Sequence, residues 1–268
     1  MKNLSKEEIL NEIDKKLEKI EQNPKDGESL NDLGVLLSTI GDFQRAQKFY
    51  FNAIENGNVR AMFNLGVLYI NTDKKDLAEK CFLEMAKLKD GDSMNYLGLI
   101  YKEQEKYDLA EEYFLKALKL KNKEVCYNLG LFYDERNDSK NSKKYFTKGV
   151  KNGDSHCMNA LGVIYFKEKK YKKAENLYEQ AINYGHIGAL NNIGYLNFIK
   201  GNFEIAEEWY FRAIDAGYLG AMYNLAELYE MRERFEEAKI WYEKARDEAG
   251  MSVDDKLRHI EVKKGLVN

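Results

Sequence analysis

The dipeptide Leu-Gly, or a close variant, returns every 32 residues along this chain. It stands at Leu33-Gly34, Leu65-Gly66, Leu97-Gly98, Leu129-Gly130, Leu161-Gly162, Ile193-Gly194 and Leu225-Ala226. Other columns keep the same step. One reads Ala46, Ala78, Ala110, Ser142, Ala174, Ala206, Ala238, and another Tyr50, Phe82, Phe114, Phe146, Tyr178, Tyr210, Tyr242. A third reads Ala53, Met85, Ala117, Gly149, Ala181, Ala213, Ala245. Seven copies without an insertion or deletion leave few architectures open. A period of this size marks one supersecondary unit repeated, each copy burying its apolar face against the next.

Within a copy the spacing is helical. In the fifth, Met158, Leu161, Ile164 and Tyr165 share one helix face, and Tyr171, Ala174, Tyr178 and Ala181 share another. The short connection 167–170 separates them. Each copy therefore reads as two antiparallel helices. The one proline, Pro24, lies before the first copy, which agrees with a chain made almost wholly of helices and short turns. The fold expected is all-α, an α-solenoid of seven 32-residue helix–turn–helix repeats over residues 27–250, forming a single domain over 1–268.

The small columns have a packing purpose. Gly34 and its equivalents fall mid-helix, where glycine costs about 1 kcal/mol relative to alanine. Close approach of two helices would offset that, with Ala46 and its equivalents as the facing small surface and the aromatic column filling the space between neighbouring helix pairs. Gly57, Gly153, Gly185 and Gly217 sit where a left-handed residue would end each second helix. Lys89 and Lys121 occupy that place in two copies, so those turns are expected to be less sharply set. Ser5 and Glu8 have capping-box spacing ahead of the stripe Ile9, Ile13, Leu17, Ile20, which predicts an N-terminal capping helix over 5–22. Val253, Leu257 and Ile260 predict a C-terminal capping helix over 252–264.

The chain is 44% hydrophobic and 32% charged, enough apolar content for a full core. No run of apolar residues is long enough to span a membrane, and the charged N-terminus has no secretory apolar region. Cys81, Cys126 and Cys157 are odd in number and unpaired in spacing, which fits a reduced, cytoplasmic setting. All three stand in columns otherwise held by core side chains, so they read as core fillers. No phosphate loop, HExxH or CxxC motif appears, and no pair of carboxylates stands out. His156 and His186, near successive repeat turns, lack an obvious third metal ligand. Neither a catalytic residue, a metal nor a cofactor is expected.

The columns resemble the tetratricopeptide family and, more closely, its Sel-one-like relatives. Leu-Gly followed three residues on by tyrosine is the first-helix signature, as in Leu65-Gly66 with Tyr69 and Leu97-Gly98 with Tyr101; Tyr133, Tyr165 and Tyr229 continue it, while Leu37 and Asn197 depart from it. Ala53, Gly57, Ala61 and Asn64-Leu65-Gly66 look like the Sel-one-like junction. The resemblance implies a right-handed superhelix with a concave face lined by first helices, and a non-enzymatic scaffold or adaptor that binds an unidentified protein or peptide there.

By that resemblance the residues just before Leu-Gly face the groove. They include Asn64, Tyr127, Asn128, Asn191, Asn192, Tyr223 and Asn224. Asparagine is a poor helix-interior residue, so its repeated use needs a reason. Its amide can hold a peptide backbone by donor and acceptor together, with the aromatic neighbours packing the peptide's side chains. Alternatively the asparagines bond across adjacent helices and set the repeat spacing, the more economical reading because buried polar groups are usually satisfied within the protein. Further along, Ile70, Phe166, Phe198 and Ile199 are candidates for exposed or half-buried apolar side chains.

Charge is uneven. Residues 116–175 carry 15 lysines and arginines against 7 aspartates and glutamates, in a chain of net charge −3. The densest part holds Lys167, Lys169, Lys170, Lys172 and Lys173. Such a patch suits an acidic partner, a nucleic acid or an anionic surface, against the plainer reading of a solvated face. Opposed charge between the middle and the ends is also a route to a homo-oligomer.

Overall fold

The computed structural model describes residues 5–263 and 265. Sixteen helices and no strand occur among them. In chain order they are α1 (Lys6–Gln22), α2 (Gly27–Thr39), α3 (Phe43–Glu55), α4 (Arg60–Asn71), α5 (Lys75–Lys87), α6 (Gly91–Glu103), α7 (Tyr107–Lys119) and α8 (Val125–Glu135). There follow α9 (Ser139–Lys151), α10 (Ser155–Lys167), α11 (Tyr171–Asn183), α12 (Gly188–Ile199), α13 (Phe203–Asp215), α14 (Ala221–Met231), α15 (Phe235–Ala249) and α16 (Asp254–Lys263). Two compact bodies divide within α8, Met1–Asn128 and Leu129–Asn268. Within each body a first helix packs most extensively on the second helix that follows it, as in α2 on α3 and α10 on α11, and more lightly on the helix before it.

The glycine column works differently from the expectation. Each glycine is covered by the aromatic ring of its own helix pair, not by the alanine column. A Cβ built on Gly34 would lie 2.6 Å from the Tyr50 ring, on Gly98 2.4 Å from Phe114, on Gly130 2.3 Å from Phe146, and on Gly194 2.7 Å from Tyr210. The absent side chain makes room for a ring 16 residues on, and the alanines are buried beside it. Phe82 does double service: it covers Gly66 and stacks on Tyr96 of the next pair at 4.8 Å. The ring therefore fills the seam between pairs as well as the gap within one.

The turns also correct an expectation. A left-handed residue sits at each turn within a pair: Gly41, Asp73, Glu105, Asn137, Lys169, Gly201 and Glu233. The same holds between pairs at Gly57, Lys89, Lys121, Gly153, Gly185 and Gly217. Lys89 (φ 61°) and Lys121 (φ 59°) adopt the conformation of the glycines rather than a looser one. Backbone bonds hold them there. Asn58 N–H reaches Ala53 O at 2.9 Å, and Asn122 N–H reaches Ala117 O at 3.1 Å in the lysine turn, the pattern that closes a helix on itself. The cost of a left-handed lysine is outweighed by the carbonyls it satisfies.

The ends follow the sequence. Ser5 and Glu8 form the capping box of α1, whose buried Ile13 faces the first pair. Val253 and Ile260 are buried where α16 meets the last pair. Residue 264 of the expected C-terminal helix lies outside the described residues.

Candidate functional site

The asparagines before Leu-Gly form bonded pairs across successive first helices. Asn64 Nδ2 donates to Asn31 Oδ1 at 2.7 Å, and Asn128 to Asn95 at 2.9 Å. In the C-terminal body Asn192 donates to Asn159 and Asn224 to Asn191, both at 2.7 Å. Each pair is 33 residues apart, one repeat plus one position. Where the pair is not asparagine, Phe63 and Tyr96 meet edge-on at 5.7 Å instead. At the start, Asp32 takes Lys16 Nζ of α1 at 2.5 Å. The bond orients an amide without exhausting it: a donor such as Asn192 keeps its Oδ1 and a second N–H. Asn191 is buried, while Asn64, Tyr127, Asn128, Asn192, Tyr223 and Asn224 are half-buried.

Five residues past Leu-Gly or its variant every first helix carries an exposed side chain, while the residue directly after it is half-buried except for the exposed Tyr195. Successive first helices touch, α10 with α12 and α12 with α14. Phe166 of α10 meets Tyr195 of α12, and Phe198 of α12 lies near Glu227, Glu230 and Met231 of α14. Tyr195 is 38% exposed, Ile199 45% and Met231 54%. The rings run on without a break: Phe166 to Tyr195 at 5.5 Å, Tyr195 to Phe198 at 6.1 Å, Phe198 to Phe203 at 6.0 Å. Phe198 also lines a cavity of about 430 Å³ with Glu227, Glu230, Met231 and Glu233. Of the apolar candidates, Ile199 is exposed, and Ile70, Phe166 and Phe198 are half-buried. Sequence reasoning missed Tyr195 and Met231. For Met231 the available signal was its column, the fifth residue past Leu-Gly, which is polar in most repeats and exposed in all of them.

At α14 the carboxylates are already answered. Lys256 of α16 reaches Glu227 at 3.0 Å and Glu230 at 3.4 Å, and Tyr242 donates its hydroxyl to Glu230 at 2.6 Å. The lysines are less committed. Lys170 pairs with Glu168 at 2.7 Å, Lys143 pairs with the same carboxylate, and Lys173 and Lys170 lie over the Tyr165 ring at 5.5 and 5.8 Å. Lys167, Lys169, Lys172 and Lys173 are exposed. Behind them, α9 carries five lysines and no acidic residue.

The cysteines are all buried, and desolvation pushes the Cys81 thiol up to about 11. His156 and His186 do approach, their rings 5.0 Å apart, and burial followed by the neighbouring imidazole lowers the His186 pKa. Among the described residues no group of three His, Cys, Asp or Glu could hold a metal ion. No helix among them is long and apolar enough to cross a membrane.

Family models described as tetratricopeptide repeat match residues 59–92, 91–124 and 123–152, a second such model matches 155–183, and a third 200–251. No curated protein is a significant sequence match to the chain. Among solved structures it is similar to yeast Tom70, with a TM-score of 0.69 and 19% identity over 97% of this chain and 59% of that one. It is similar to a Sel1 repeat protein from Oxalobacter formigenes, with a TM-score of 0.60 and 23% identity over 73% of this chain and 90% of that one. The Cut9–Hcn1 hetero-tetramer of APC/C gives 0.66 and 12% over 94% of this chain and 52% of the other. The chain thus spans little more than half of the Tom70 and Cut9–Hcn1 chains.

Proposed function

Because this chain belongs to the tetratricopeptide repeat family, with Sel-one-like junctions between repeats, we propose that it is a scaffold that holds a protein or peptide segment against its first helices. On this reading residues 1–268 make one solenoid of seven repeats, a right-handed superhelix whose concave groove the first helices line. It performs no chemistry of its own, and its buried thiols suit a cytoplasmic setting. The observation that carries the reading is the row of outward apolar side chains on consecutive first helices, Tyr195, Ile199 and Met231, beside amides held in one orientation. A similar fold in the Cut9–Hcn1 hetero-tetramer accords with a role in assembly.

The test is affinity purification with mass spectrometry on three forms of the protein: wild type, Tyr195→Ser/Ile199→Ser, and the control Leu77→Ser/Leu109→Ser on exposed second-helix positions. A partner retained by wild type and control but lost from the first variant supports the groove. The same partner retained by all three overturns it.

A second reading rests on the lysines of α9. Their exposed row Lys140, Lys144, Lys148, Lys151 has the spacing of one helix face and suits an acidic surface or nucleic acid. Binding that collapses between roughly 50 and 200 mM salt would mark it.

A further inference from the structure

We infer that the first-helix face of the C-terminal body takes a peptide segment in which bulky apolar side chains stand beside side-chain carboxylates. The inference rests on the groove reading above and names its occupant. Two independent features meet at one place. The first is the apolar row: Phe166, Tyr195, Phe198 and Ile199 form an uninterrupted surface across α10 and α12. Exposed apolar area of this kind, rimmed by charge, marks an interface. The second is the lysine rim at its α10 end. Lys167 follows Phe166 directly at the end of α10 and is exposed, so a lysine head stands next in the chain to the apolar row. Lys169 and Lys170 stand in the turn just beyond.

The charge there is not balanced from within. Glu168, the nearest carboxylate in sequence, is taken by Lys143 and Lys170 together. Among the described residues no ion pair engages Lys167 or Lys169. At the other end the one cation of Lys256 stands between two carboxylates, Glu227 and Glu230, so these three groups keep a net negative charge. The surface is therefore polar in one direction: cationic at α10, apolar across α12, acidic at α14. A segment that fits it places its apolar side chains on Tyr195 and Ile199 and its carboxylates at Lys167 and Lys169. Complementary charge of this sort sets register and partner choice more than raw affinity. Single-stranded nucleic acid also combines stacking with cations. Phe166 and Phe198 are half-buried and only Tyr195, packed against both, is exposed, so the row offers a base one open ring rather than a run of stacking platforms.

The test is fluorescence anisotropy of full-length protein with four probes. These are a short end-blocked peptide of phenylalanines flanked by aspartates, its lysine-for-aspartate counterpart, its alanine-for-phenylalanine counterpart, and an oligothymidylate. The protein variants are Lys167→Glu/Lys169→Glu, Tyr195→Ala/Ile199→Ala, and Lys144→Glu/Lys148→Glu on α9, each shown to be folded by its helical circular dichroism. The acidic aromatic peptide is expected to bind about tenfold tighter than the other three probes. Reversal at Lys167 and Lys169 should lower that binding about tenfold, whereas the same charge change on α9 should alter it less than about threefold. Binding that needs Tyr195 and Ile199 but ignores the carboxylates overturns this inference and leaves the groove intact. Binding that ignores Tyr195 and Ile199 overturns both. Tighter binding of the oligothymidylate, an equal loss from the α9 variant, or no peptide binding at about 1 mM overturns the inference.

Discussion

Asn192 donates its side-chain amide to Asn159 of the preceding first helix, at 2.7 Å, and the same bond recurs wherever both positions are asparagine within one body. A residue poor in helix interiors is kept because its amide reaches the first helix of the preceding repeat and fixes how the two lie together. Removing one partner leaves the other half-buried and short of a bond. Asn192→Ala should cost about 1 kcal/mol in urea unfolding. The double change Asn159→Phe/Asn192→Tyr, which installs the aromatic pair seen at Phe63 and Tyr96, should cost less than the two single changes together by about 0.5 kcal/mol or more. Strict additivity would show that the two positions do not work as a unit.

The glycine under each ring leads to a second prediction. A methyl group on Gly98 would sit 2.4 Å from the Phe114 ring, which is fully buried and cannot yield. Gly98→Ala should cost about 1–3 kcal/mol despite its better helix propensity. Adding Phe114→Leu should recover part of the loss. A thermal midpoint raised by Gly98→Ala would contradict the packing.

Left-handed lysines and glutamates make the turns a place to gain stability. Lys89→Gly and Glu105→Gly should each stabilise the fold by about 0.5–1 kcal/mol, because the backbone already adopts the conformation glycine prefers. Gly57→Ala, at φ 84° with open space around it, should destabilise by about 1 kcal/mol through backbone strain alone. Chemical unfolding of the three variants checks the signs.

Acid should loosen the chain through a few named carboxylates. Ser29, with Lys19 behind it, holds Asp26 well below the usual carboxylate range; the Asn141 backbone lowers Asp138, and Lys143 with Lys170 lowers Glu168. A carboxylate depressed in the folded state stabilises fully above its unfolded pKa, near about 4, and loses that contribution as pH falls through its folded value. The urea midpoint should therefore drop steadily below about pH 4. The difference between wild type and Asp26→Asn should shrink over the same window. A difference that grows toward low pH would reverse the sign of the argument.

Thiol chemistry offers a plainer check. Cys81 is buried and its pKa is pushed up to about 11, so little thiolate is present at neutral pH. Ellman's reagent should label the native protein slowly and the urea-unfolded protein at once. Rapid native labelling of Cys81 would mean that α5 opens far more readily than its packing allows.

Much of this fold was legible because it repeats. The period, the helix pairs, the Ser5–Glu8 box and the apolar stripes of both end helices all follow from which residue types recur at which spacing. What recurs by conformation alone was not legible. Lys89 and Lys121 carry no mark of a left-handed backbone, since the turn's own hydrogen bonds impose it. The ring over each glycine was misjudged because the column pattern shows that two positions are small without saying which large residue each one faces. At the candidate site the asparagine column was visible, and its pairing was one of two readings. The exposure of Met231 could be read from its column, whereas that of Tyr195 could not, because the equivalent side chains of the other repeats are half-buried.

The most direct test of the stacked 32-residue register is excision of residues 187–218, which removes α12 and α13 and brings Asn224 opposite Asn159, so the amide pair is rebuilt. Circular dichroism and thermal melting should then show a shorter, fully helical protein that still unfolds cooperatively, whereas excision of 203–218, one helix only, should not fold. If the whole-repeat excision is as disruptive as the single-helix excision, the repeats are not interchangeable units in register, and the account fails.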